Sequence, residues 1–216
     1  MGIHCQSVTS RCSRFGLRKV HPTIDPMNSM NPMNTLLFGS LLALLFVGFA
    51  PDAGAQQFMT REGNVHFFSS TPIEDIEADN RQMSGLLNAS TGDFAFQVQM
   101  RAFHFEKALM EEHFNESYVE SETYPKATFQ GSIASWENIP NDGQRHDVVA
   151  EGEFDIHGVT QPQRIEGTVQ WVDGGWKLQA TFEVTLADHK VVIPAVVKDN
   201  ISPVIAIDVE AQLLPR

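Results

Sequence analysis

The sequence predicts an all-β domain, a sandwich or a closed barrel of about eight antiparallel strands with one short helix crossing over. Three observations carry this prediction. Apolar and polar residues alternate with a period of two over most of residues 56–216, the period of a strand with one buried face. Turn-forming pairs rich in Gly, Asp and Asn separate those runs. The segment "FEKALMEEHFNESYVES" breaks the alternation and suits a helix.

Residues 1–55 stand apart. "LLFGSLLALLFVGF", Leu36–Phe49, is an uncharged apolar block of 14 residues. A membrane-spanning helix needs roughly 20, whereas the hydrophobic core of a secretory signal has this shorter length. Ala53-Gly54-Ala55 supplies the small-x-small pattern of a cleavage site, so cleavage is expected before Gln56 and the product is expected to be periplasmic or secreted. The basic cluster Arg11, Arg14, Arg18 and Lys19 lies far upstream of the apolar block. Met27, Met30 and Met33 follow it, so residues 1–55 read as a signal peptide with an extended N-terminus and alternative start sites. An uncleaved signal anchor is the competing reading.

The remaining elements follow in order. "GNVHFFSS" is a weak strand. "DFAFQVQM" sets Phe94, Phe96, Val98 and Met100 on one face and Ala95, Gln97 and Gln99 on the other. The phase then slips to Phe103 and Phe105, which predicts a bulge near Arg101-Ala102. Ala108, Leu109, His113 and Phe114 suit the short helix, which cannot continue through Pro125. "ATFQGSIASW" is a second weak strand. "VAEGEFDIHG" groups Ala150, Gly152, Phe154 and Ile156, and "RIEGTVQW" groups Ile165, Gly167, Val169 and Trp171. "KLQATFEVTLAD" groups Leu178, Ala180, Phe182, Val184 and Leu186, and "PVIAIDVEAQLL" groups Ile205, Ile207, Val209, Ala211 and Leu213. Turns are expected at Thr91-Gly92-Asp93, Asn141-Asp142-Gly143, Asp173-Gly174-Gly175 and Asp199-Asn200. Between Ile156 and Ile165, His157-Gly158-Val159-Thr160-Gln161-Pro162 reads as a corner. Its glycine is free to take a positive φ, and its histidine is expected to be structural or exposed.

The inner faces set large residues beside very small ones: Gly152 by Phe154, Gly167 by Val169, Ala180 by Phe182. Small residues there either admit large ones from the opposite wall or leave room for a guest. Removing residues 1–55 takes away four of 15 basic and two of 27 acidic residues, so 11 face 25 and the formal charge becomes −14. Phosphate backbones would be repelled by such a surface, and no nucleic-acid partner is expected. Cys5 and Cys12 both fall in the leader, so residues 56–216 have neither disulfide nor thiol nucleophile.

"ESETYPKATFQGSI", Glu120–Ile133, followed by "AEGEFDIHGVTQPQRIEGTV", Ala150–Val169, resembles the YceI-like family of exported bacterial proteins. The matching positions are Phe114, Tyr118 or Tyr124, Pro125, Phe129, Gly152, Phe154, Ile156, Gly158, Val159, Thr160 and Pro162. The resemblance implies an all-β, eight-stranded antiparallel lipocalin-like barrel with one short helix, spanning residues 56–216. It also implies an elongated apolar cavity that in some members holds a polyisoprenoid chain such as a prenyl quinone. The sequence departs from the family at "GNVHFFSSTPIEDIEADN", which is acidic, and at "KALMEEHF", where His113 alone survives of a longer phrase.

No enzyme is expected. His66, His104, His113, His146, His157 and His189 show no metal-ligand spacing. There is no gly-x-ser-x-gly elbow and no phosphate-cradling glycine loop. The leading reading is a non-enzymatic carrier or sequestering protein for a hydrophobic, isoprenoid-like molecule. Phase nominates Phe94, Phe96, Val98, Phe129, Phe154, Ile156, Ile165, Val169, Trp171, Phe182 and Val184 as its cavity lining. The alternative is a structural or interaction module of the cell envelope with a filled barrel, contacting a membrane redox protein or another envelope partner.

Overall fold

The computed structural model describes residues 56–216. The expected signal segment and starting methionines lie outside the described residues. Nine strands and one helix follow in order: β1 (Gln57–Ser70), β2 (Asp75–Asn88), β3 (Asp93–Gln99), β4 (His104–Phe105), α1 (Ala108–His113), β5 (Lys126–Ile133), β6 (Arg145–Ile156), β7 (Val159–Val172), β8 (Gly175–Thr185) and β9 (Val204–Pro215).

Pairing is antiparallel throughout and follows chain order, and β1 joins both β2 and β9, so the sheet closes on itself. β4 pairs with β2 at Ala78↔Phe105 while β3 pairs with it at Leu87↔Phe94. The two therefore share one place in the wall. The result is a closed barrel of eight strand positions, a size whose interior is either just filled or holds one small ligand.

A 3₁₀ turn at Met100–Ala102, rather than the expected bulge, divides β3 from β4. Its Phe103 N–H donates to the Met100 carbonyl, and the Met100 N–H is taken up by Pro125 O at 2.9 Å. The turn resets the phase, so Met100 and Phe103 both point inward although they are three residues apart.

β2 has no counterpart among the expected strands, and β1 extends six residues ahead of "GNVHFFSS". In β2 the buried residues run Ala78, Asn80, then Met83, Gly85 and Leu87, because Arg81 and Gln82 both face out. β1 slips in the same rows, between Thr60 and Val65. Paired irregularities of this kind coil a hairpin into a curved wall. They also erase the period of two. The buried Asn80 is tolerated because its Nδ2 donates to Gln99 O at 2.8 Å and its Oδ1 accepts from the Gln82 N–H at 2.9 Å.

The two barrel ends differ. At one end, tight turns join β2 to β3 and β7 to β8, and aromatic residues fill the bore. Trp176 packs edge-on against Trp136 at 4.8 Å and Trp171 at 5.2 Å, and Trp171 meets Phe58 at 5.6 Å. Trp136 Nε1 donates to Ala89 O at 2.8 Å, which satisfies its polar edge inside the plug. Phe58, Leu87 and Leu213 complete this end without exposed surface. At the opposite end lie the β1–β2 turn, the crossing segment with α1, the β6–β7 turn and residues 186–203. The last of these is a long connection, not the tight Asp199-Asn200 turn that was expected.

Gly152 does not make room for a guest. It pairs with Gly131, and a Cβ on Gly152 would sit 2.1 Å from Gln130 O, so the two glycines let β5 and β6 approach closely. His157 and Gly158 form a two-residue hairpin turn, both at positive φ (55° and 68°), as a type I′ turn requires. A Cβ on Gly158 would also lie 2.6 Å from the Tyr124 ring. Gly158→Ala is therefore expected to destabilise the barrel by roughly 1–3 kcal/mol from backbone strain and overpacking combined. A urea titration checks this as a lowered midpoint with unchanged slope.

Candidate functional site

Inside the wall lies a partly open cavity of about 220 Å³, lined almost wholly by carbon. Its dominant feature is a run of rings contributed by β3, β5, β6 and β8. Phe96 and Phe94 of β3 are 5.6 Å apart, Phe94 meets Phe129 of β5 at 4.9 Å, Phe129 meets Phe154 of β6 at 5.9 Å, and Phe154 meets Phe182 of β8 at 5.9 Å. Cross-strand neighbours on one face of a sheet are about 4.5–5.5 Å apart at Cβ, so the paired Phe129 and Phe154 touch, whereas Phe182 reaches Phe154 past the intervening β7. Aliphatic side chains of β7, β8 and β9 complete the wall: Ile165, Val169, Val184, Ile205 and Val209.

Of the eleven residues nominated by phase, ten border this space: Phe94, Phe96, Val98, Phe129, Phe154, Ile156, Ile165, Val169, Phe182 and Val184. Trp171 does not. It is the next inward residue after Val169, one step too far toward the blocked end, where the bore is already filled by Trp176 and Phe58. Phase tells which face a residue occupies and says nothing of how far along the barrel it sits. Gly167 and Ala180 also border the space, as small inward residues beside Val169 and Phe182.

Other lining residues were not nominated. Phe67, Phe103 and Phe114 form a second aromatic group with Phe105, with Phe114 in the middle at 5.5 Å from Phe103 and 5.0 Å from Phe105. The signals were present, since Phe103 and Phe105 share a phase and Phe114 opens the recognisable phrase. The irregular backbone between them hid their convergence. Phe114 begins a π-type turn, Phe114–Tyr118, that continues α1 and drops its ring into the bore.

Beyond Phe67 and Phe114 is a second space, also about 220 Å³, at the loop end. It shares Val119, Leu186, Val191 and Ile205 with the first, and adds polar groups: Ser69, Glu74, His113, Tyr118 and Asn200. Glu74 ties the loops together here. Its carboxylate accepts from Lys107 Nζ at 2.9 Å and from Asn200 Nδ2 at 3.2 Å, joining the segment before α1 to residues 186–203.

The expected corner also proves to be a junction. His157 Nε2 lies 2.8 Å from Glu120 Oε2 and its Nδ1 3.1 Å from the His189 carbonyl, with Tyr124 against the ring at 4.5 Å. His157 is thus structural and mostly covered. Among the described residues no cluster of three or more His, Asp or Glu side chains forms a metal-binding group.

The Lys107 ammonium, and after it the Asn200 amide, hold the Glu74 carboxyl below its ordinary value of 4.5. The folded state then binds its proton more weakly than the unfolded chain does. The tie is at full strength above the ordinary carboxylate value and is lost as pH falls through the lowered one. Hydrogen exchange in residues 106–113 and 198–203 is expected to speed up on acidification, relative to intrinsic rates, and Glu74→Gln is expected to remove that pH dependence.

The YceI-like domain matches residues 56–213. Two solved structures share the barrel. A polyisoprenoid-binding domain from Saccharophagus degradans, implicated in plant cell wall breakdown, superposes with a TM-score of 0.66 at 15% identity, covering 75% of this chain and 99% of that one. BcnA from Burkholderia cenocepacia superposes with a TM-score of 0.58 at 14% identity, covering 70% and 95%. No curated protein sequence matches the chain. At such identities the two structures speak for the fold alone. The domain match takes in the whole barrel from β1 nearly to the end of β9, and the chain belongs to the YceI-like family.

Proposed function

We propose that the protein binds a long apolar molecule, of the isoprenoid-lipid class, inside the barrel and carries or sequesters it without chemical change. The single observation that carries this reading is the carbon-lined space between the phenylalanine run and the aliphatic wall. An apolar guest there gains about 0.8 kcal/mol for each methylene removed from water. The filled-barrel alternative is disfavoured by the space itself, since a filled bore would leave none. The binding activity in the name of the Saccharophagus domain points the same way.

Access is from the loop end, because the tryptophan plug closes the other. A ligand would pass the mixed polar space near Glu74 and displace or slide past Phe114. The barrel works after export, in the periplasm or outside the cell, as the apolar block Leu36–Phe49 and the small-residue site before Gln56 suggest.

Organic extraction of the purified protein followed by mass spectrometry is expected to release an isoprenoid lipid. Added prenyl quinone is expected to change the fluorescence of the plug tryptophans. If nothing is released and the fluorescence stays constant, the carrier reading fails. Ala180→Phe, which directs a ring into the cavity, is expected to weaken binding at least about tenfold while leaving the circular dichroism unchanged, a loss of roughly 1.4 kcal/mol. Protein recovered from the exported fraction is expected to begin at Gln56 by N-terminal sequencing.

A further inference from the structure

We propose that His189 is a polar anchor inside the cavity, selecting an apolar chain that ends in a hydroxyl over the same chain without a hydrogen-bond donor. The proposal rests on the carrier reading above. His189 is the one ionisable side chain bordering the apolar space among the described residues, and it is 1% exposed. Its Nδ1 lies 3.1 Å from the Val159 carbonyl oxygen. A carbonyl only accepts, so Nδ1 carries the proton there, and in the neutral ring Nε2 is left as an acceptor. No described residue donates to Nε2. That acceptor, on a ring bordering an almost wholly apolar space, is available to a donor carried by a ligand.

The plainer reading is a core histidine whose task is the bond to Val159, stapling the turn after β8 onto the start of β7. That accounts for Nδ1 and leaves Nε2 unexplained. The ring is also held more firmly than a staple needs. Phe154 stands edge-on to it at 5.6 Å and 87°, and its own carbonyl is gripped by His157, which Glu120 holds in turn. Groups that must meet a ligand at fixed geometry are placed in this way, with their supports fixed by a further layer of contacts. His189 lies at the loop end of the cavity, in the turn Leu186–His189, whose Leu186 also borders the outer space. A hydroxyl bound there would leave the chain running toward the tryptophan plug. An isoprenoid alcohol or a prenylated hydroquinone has this chemistry, whereas the corresponding ether or quinone lacks the donor.

Equilibrium titrations with an isoprenoid alcohol such as farnesol and with its methyl ether test the proposal. The unmodified protein is expected to bind the alcohol about tenfold more tightly. His189→Asn keeps an amide N–H for Val159 but has nothing at the Nε2 position, and is expected to lose the preference without losing the ether. His189→Gln, whose amide reaches that position, is expected to regain part of it. Equal binding of alcohol and ether to the unmodified protein, or a preference that survives in His189→Asn, overturns the anchor and leaves the carrier reading standing. Failure of both compounds to bind overturns the two together. The comparison on the unmodified protein requires no variant to fold.

Discussion

The hydrogen-bonded seam that β1 makes with β2 on one side and β9 on the other determines the rest of the molecule. Once the sheet closes, only the two-residue β4, paired with β2 alone, keeps an open edge, and the wall has a fixed circumference. Side chains can then adjust how much of the bore is filled, but not its width. The coupled slips in β1 and β2 let these two long strands bend far enough to close. The glycine pair Gly131 and Gly152 brings β5 and β6 closer together than side chains would allow.

Within that fixed bore the residues divide the interior lengthwise. Tryptophans and the largest aliphatics crowd the tight-turn end, where Trp136, Trp171 and Trp176 interlock and exclude a ligand. In the middle, Gly167, Ala150 and Ala180 recess the wall beside Phe154 and Phe182, and space remains. At the loop end the closure is made of turns and one short helix instead of wall. Hydrogen bonds through Glu74, Ser69 and His157 hold those pieces together.

The histidine of the corner phrase serves the architecture. His157 occupies a positive-φ turn position, caps Glu120 and grips the His189 backbone. The corner phrase around it is recognisable because a type I′ turn, a tyrosine packed over a glycine and a three-way junction all constrain the same few residues. His189, four residues past the end of β8 and in no recognisable phrase, is the histidine that borders the cavity.

The alternation along β6 to β9 was legible because each of those strands is regular and buries one face only, so their inward sets could be read directly. β2 was illegible because two successive outward residues and a buried, satisfied Asn80 remove the period that reveals a strand. Ten wall residues of the candidate site followed from phase alone, and Trp171 was misplaced because phase carries no coordinate along the axis. Phe67, Phe103 and Phe114 come together only when a 3₁₀ turn and a π-type turn aim them at one point. The sequence by itself determined the strand class, the inward faces, the acidic exterior and the family phrases, because these are local or compositional properties. Closure, the position of the plug and the survival of a cavity were decided by the tertiary structure, since each depends on which inward residues meet across the bore.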